Sequence, residues 1–206
     1  SVWKALIRNG IDVRSRSDGR TINREDDGFV INMPVLTGCL LGDAHITASN
    51  RDSDESYPLF RKGNKFLDHI EFVYNLLFKD VGKPKKILES WRITDGELSP
   101  YYTFASLTHK ELMPIYRSWY PPKNDYIKIV PKNIKIDKEV LLHWFLDDGY
   151  TCYRHRKFKN PNYRQRKKQI YLGLCTEGFV KEDQEFLCDK LYKNFRLSVM
   201  KRAEPK

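Results

Sequence analysis

The chain has 206 residues, with 37 Lys plus Arg against 27 Asp plus Glu and a net charge of +10. Hydrophobic residues make up 40% and aromatics 13%, which excludes a disordered tail. No run approaches the ~18 apolar residues of a membrane span. A basic, aromatic-rich chain points first to nucleic acid, with an ordinary basic surface as the alternative. Charges stand in the N-terminal stretch where a signal peptide needs an apolar block, so an intracellular protein is expected. Cys39, Cys152, Cys175 and Cys188 form neither a CxxC nor a zinc-type Cys/His spacing, and reduced thiols are the expectation.

Residues 2–10 read as a helix end with Gly10 as its stop, followed by a polar, aperiodic linker. A helix that opens a chain without an initiating Met suggests a chain cut at this end. From Met33 to Leu41 the sequence is apolar, with Pro34 where a helix can begin. Residues 45–62 read as two strands around RDSDES, and 64–79 carry a helical stripe. Residues 85–93 and 101–107 alternate as a second strand pair separated by DGELSP, and a short helix runs from His109 to Trp119. A similar series then restarts: a helix over 138–148, strands at 150–157 and 169–175, and a helix over 181–195. The order helix, strand pair, helix thus occurs twice, as expected for a duplicated α+β unit. The second copy lacks the later strand pair and final helix of the first, and an incomplete catalyst is the expectation.

The two repeat-opening helices end alike. Each is an apolar segment that delivers a carboxylate at its C-terminal end, Asp43 in one and Asp148 in the other, 105 positions apart. The helix dipole disfavours an anion there by ~0.3–1 kcal/mol. Packed side by side, the helices would bring the two acids together, and two such carboxylates want a divalent cation between them.

The segments LTGCLLGDA (36–44) and LLHWFLDDG (141–149) resemble the two signature helices of the LAGLIDADG homing endonucleases, in their single-chain, two-motif branch. GDAHI after the first motif, WFLDDG in the second and IVPKNI before it support the resemblance, which covers roughly residues 33–200. It implies an α+β fold: a pseudo-symmetric duplicated αββαββα unit, with two antiparallel DNA-binding sheets flanking a central helix pair. The division would be an N-terminal helix and linker at 1–32, a first half at 33–132 and a short second half at 133–206. It implies a monomeric, Mg2+-dependent enzyme, intron- or intein-encoded, that cuts both strands of a long asymmetric duplex DNA site, with Mn2+ able to substitute. The eighth motif position carries the metal-binding acid, here Asp43 and Asp148, and the carbonyls beside them, at Gly42 and Asp147, are expected as further ligands. The family often places a lysine near each scissile phosphate, and Lys128 stands where the resemblance predicts one. The motif's small residues are kept at Thr37 and Gly38 but replaced by Leu142 and His143, which suggests a looser helix crossing. His143 is expected as a packed histidine rather than a ligand.

The stretch 150–170 holds Arg154, Arg156, Lys157, Lys159, Arg164, Arg166, Lys167 and Lys168 without an acid, interleaved with aromatics. Read as a hairpin after the second motif, it is the expected groove-contacting element. In the first half Arg61, Lys62 and Arg92 are the DNA candidates. Residues 2–16 also resemble the end of a helix-turn-helix module. An RNA-splicing maturase acting on intron RNA, or a DNA-binding remnant without cleavage, are the alternative readings.

Overall fold

The computed structural model describes residues 30–53, 56–77, 87–94, 96–155, 168–197 and 199. The expected N-terminal helix and helix-turn-helix remnant lie outside them. In chain order the elements are α1 (Met33–Leu41), β1 (His45–Thr47), β2 (Leu59–Asn64), α2 (Leu67–Leu77), β3 (Leu88–Thr94), β4 (Glu97–Ala105), α3 (Leu112–Trp119), a 3-10 turn (Pro122–Asn124), α4 (Lys138–Asp148), β5 (Gly149–His155), β6 (Lys168–Leu174) and α5 (Lys181–Phe195). The series is αββαββα followed by αββα. The first unit forms a four-stranded antiparallel sheet in the order β1-β2-β4-β3, and the second a two-stranded sheet, β5-β6.

The second strand pair differs from its expected bounds. Thr94 pairs with Glu97, and Gly96 takes φ +83°, so the turn is two residues long and most of DGELSP is strand. Pro100 lies in the part of β4 that pairs with β3 only, since β2 pairs no further than Tyr102. A proline there removes no ladder hydrogen bond on the unpaired side.

Period-2 alternation sorts the large sheet. Ile46, Phe60, Lys62 and Phe104 point inward and are buried, while His45, Thr47 and Arg61 point out. Phe60 and Phe104 sit 6.0 Å apart between ring centroids, and Ile70, Val73 and Leu77 of α2 close over the same core. Burial of each such side chain contributes ~1.5–3 kcal/mol. Helix α1 is buried nearly all round, through Val35, Leu36, Cys39, Leu40 and Leu41, as expected of a central helix.

Helix α1 packs on α4 at the centre of the molecule. Both start from a side-chain cap at matching positions: Asn32 accepts from the Val35 amide at 3.4 Å and Asp137 from the Val140 amide at 2.9 Å. Such caps satisfy an otherwise orphaned amide and fix where the helix starts, hence where it ends. The crossing is close, contrary to the expectation drawn from Leu142 and His143. A Cβ on Gly38 would stand 2.6 Å from His143 Cβ and 2.7 Å from the Val140 carbonyl oxygen. Gly38 supplies the room that His143 takes up, and Leu142, 49% exposed, faces away from the crossing. His143 is buried and stacks on Phe72 with ring centroids 5.7 Å apart. Gly38→Ala is therefore expected to destabilise the protein by about 1–3 kcal/mol as an overpacked interior, despite alanine's better helix propensity. Urea unfolding measures it, and an unchanged midpoint would show that the helices can separate freely.

Candidate active site

Each motif helix ends on a glycine that opens the turn into the next strand. Gly42 donates its amide to the Gly38 carbonyl, and Gly149 donates to that of Phe145. Asp43 follows α1 at once and is exposed; Asp148 is the last residue of α4 and is half-buried. The two carboxylates line one cleft of about 320 Å3 together with Lys128, Cys175, Thr176 and Glu177. The last three belong to the connection between β6 and α5 and were not read from the sequence.

Burial pushes the Asp148 carboxyl up to about 6, and the neighbouring Asp43 and Asp147 charges add to the shift. Lys128 is lowered to about 8 by burial, against the pull of Asp148, Asp43 and Asp147. Its ammonium donates to the Gly42 carbonyl at 3.0 Å and the Ala44 carbonyl at 2.9 Å. It thereby caps the negative end of α1. The strand-like segment that carries Lys128 is fixed on both sides. The Ile129 amide donates to the Trp119 carbonyl at 2.8 Å, and the Val130 amide donates to Asp183 Oδ2 at 2.9 Å. Asp183, only 3% exposed in the first turn of α5, also pairs with Lys132 at 2.5 Å.

One expectation is corrected. Lys62 does not reach a DNA surface: its side chain is fully buried and pairs with Asp147 Oδ1 at 2.5 Å. Strand alternation puts it on the same face as Phe60, under the sheet. The Asp147 side chain, as distinct from the backbone carbonyl expected as a ligand, is not among the groups lining the cleft. It is also fully buried, takes a second contact from His69 Nε2 at 2.8 Å, and leaves Oδ2 without a hydrogen-bond partner among the described residues. The Gly42 carbonyl, expected as a metal ligand, accepts from the Lys128 ammonium at 3.0 Å.

The acidic donor set is a pair of carboxylates, hard oxygen ligands, with the Asp43 charge adding to the cost of ionising Asp148. Among the described residues no group of three or more His, Cys, Asp or Glu gathers as a metal cage. A pair of carboxylates fits Mg2+, which is held by one or two carboxylates and completes its shell with water and phosphate oxygens. A pH consequence follows. Asp148 rises from 3.8 to about 6 on folding, so its protonated form favours the folded state. That contribution is complete below about pH 4 and is lost as pH rises through about 6. In EDTA, Asp148→Asn is expected to melt at a higher temperature than the parent at pH 7, with the gap closing toward pH 4. A gap that widens toward acid would reverse the sign.

On the outer face of the large sheet, Arg61 is exposed opposite His45, whose pKa is lowered by burial and by the positive charges of Arg61 and Lys128. Arg92 is exposed on β3. Arg154 and Lys168 lie on β5 and β6. Arg156, Lys157, Lys159, Arg164, Arg166 and Lys167 lie outside the described residues.

The LAGLIDADG DNA endonuclease family matches residues 33–205. An uncharacterized protein of Methanocaldococcus jannaschii is 28% identical over 93% of this chain and 66% of its own length. A probable intron-encoded endonuclease of Wickerhamomyces canadensis is 25% identical over 82% of this chain and 67% of its own length. The chain thus spans about two thirds of these relatives. The homing endonuclease I-WcaI, solved bound to its DNA recognition sequence, shares the fold with a TM-score of 0.58 at 22% identity, over 80% of this chain and 67% of that one. The match across both motifs, the central helix pair and both sheets place the chain in the LAGLIDADG DNA endonuclease family.

Proposed function

We propose that the chain is the core of a site-specific endonuclease that hydrolyses phosphodiester bonds on both strands of duplex DNA with a divalent cation. One observation carries the reading: Asp43 and Asp148, delivered by two separately capped helices, meet beside Lys128 at a single cleft. The structural neighbour bound to its DNA recognition sequence and the relative named for an intron-encoded endonuclease support it.

Asp43 and Asp148 are the residues that would hold Mg2+. Bound there, the cation supplies a water activated near neutral pH and stabilises the leaving oxygen. Lys128 acts from a fixed place. Two of its three N–H donors are spent on carbonyls of the α1 terminus, so the ammonium stands beside both acids without reorganisation and stabilises charge that builds on the phosphate. Its lowered pKa, about 8, also brings proton exchange near working pH. Arg61 and His45, on the strands leading away from the cleft, are placed for the flanking backbone.

The test is selection of cleaved molecules from a randomised duplex DNA library, with Mg2+ or with EDTA. Enrichment of one asymmetric site, cut on both strands only with metal, is the expected result. No cleavage, together with tighter binding to a structured intron RNA, would favour the maturase reading. Duplex RNA of the selected sequence should bind worse, because its deep narrow major groove excludes a sheet. Affinity should fall steeply with salt, at a slope of ~0.9 per neutralised phosphate, and Arg61→Ala should flatten that slope by about one phosphate. An unchanged slope would remove Arg61 from the interface.

A further inference from the structure

The outer face of the large sheet carries an arrangement that charge alone does not require. Gly63 on β2, Tyr101 on β4 and Arg92 on β3 share that face: Gly63 pairs with Thr103, Tyr101 with Ser90 and Arg92 with Ser99. A Cβ on Gly63 would stand 2.5 Å from Tyr101 Cε1 and 2.7 Å from its hydroxyl oxygen. The tyrosine ring therefore lies flat across β2 in space that only glycine leaves. The guanidinium carbon of Arg92 sits 3.6 Å from the centroid of that ring, the distance of face-to-face stacking. The Ser90 hydroxyl donates to the Tyr101 carbonyl at 3.1 Å and holds the same stretch of β4.

Stacking uses the face of a guanidinium and leaves its in-plane N–H donors free. An arginine on an exposed strand normally gives up much side-chain freedom to bind; here the ring has already fixed it. A planar, edge-on pair of donors matches the O6 and N7 acceptors of guanine in the major groove; the same fork can grip a phosphate, and the salt slope separates the two. We propose that Tyr101, seated over Gly63, is the platform that makes Arg92 a guanine-reading, specificity-determining residue of this half of the DNA interface. This inference rests on the DNA endonuclease reading above and goes beyond it by naming the base and the device.

The experiment uses the full chain in EDTA. A duplex selected by the parent from a random library, and the panel of its single base-pair substitutions, are titrated at several salt concentrations by fluorescence anisotropy. The parent should prefer G·C at one position by about 5–150-fold, the discrimination of one bidentate pair. Arg92→Ala and Arg92→Lys should erase that preference while leaving the others and the salt slope in place. Tyr101→Leu should weaken the same preference, and Tyr101→Phe, which keeps the ring, should restore it. Circular dichroism melting shows whether each variant folds. Two results overturn the proposal while the nuclease reading stands. One is a loss of about one unit of salt slope in Arg92→Ala with preferences unchanged, which marks a phosphate contact. The other is Tyr101→Leu behaving as the parent in a folded protein. A parent that enriches no duplex overturns both readings together.

Discussion

Asp43→Asn and Asp148→Asn are each expected to abolish cleavage of a selected duplex while leaving its binding within a few-fold of the parent. The separation of effects comes from where the two acids sit. Both line the central cleft, at the ends of the motif helices, and neither belongs to the sheet face that presents Arg61 and Arg92. An amide keeps the size of the carboxylate but brings no charge, so the remaining acid would hold a divalent cation alone. Loss of a partner that merely supports a metal ligand costs about 10–100-fold in affinity or activity, and loss of a direct ligand should cost at least as much. A second readout does not depend on turnover. Mg2+ should raise the melting temperature of the parent at pH 7, since it binds the folded state and offsets the burial, and after it the Asp43 and Asp147 repulsion, that lift Asp148 to about 6. Neither variant should show that rise. Both variants still cutting both strands would remove the pair from the reaction. Variants that lose cleavage but keep the full Mg2+ shift would place the cation elsewhere.

Much of this site was legible because it is written in short-range patterns. The motif helices, the strand pairs and α5, which runs over 181–195 as its amphipathic stripe predicts, follow from periodicity and caps. The convergence of Asp43 with Asp148 follows from the repeat. What was not legible depends on partners far apart in the chain. Asp147 and Asp148 look like one acidic pair in sequence, but successive helical residues point about 100° apart, so only one can face the cleft. Asp147 turns toward α1, where a Cβ on Gly42 would lie 2.5 Å from its own, and the first motif has a glycine at the matching position. The tight helix crossing escaped for a similar reason: the bulk of His143 was read on one helix, while Gly38, which accommodates it, is on the other. Lys62 left a signal, two residues after Phe60 in an alternating strand, but its charge argued for solvent. Only the buried acid on α4, 85 positions away, makes an inward lysine tolerable.

That pair sets the largest stability effect expected here. Lys62→Met keeps the length and apolar stem of the side chain and removes the charge. The Asp147 carboxylate would then stay buried with only His69 against Oδ1 and nothing on Oδ2 among the described residues. Breaking a buried ion pair by removing one partner typically costs about 3–5 kcal/mol, because the desolvation of the survivor is no longer offset. Against a total stability of about 5–15 kcal/mol for a domain, and at about 2–4 °C per kcal/mol for this size, the melting temperature should fall by roughly 10 °C. The pair also ties β2 and α2 of the first unit to the end of α4 that carries Asp148. Loss of cleavage should therefore exceed what the unfolded fraction explains. The double variant Lys62→Met, Asp147→Asn distinguishes a lost contact from an uncompensated charge. With neither charge buried it should recover part of the loss, giving a coupling of about 0.5–3 kcal/mol in a double-mutant cycle. Additive losses would mean that each side chain contributes through packing alone, and that the charge pair at the centre of the molecule does not act as one unit.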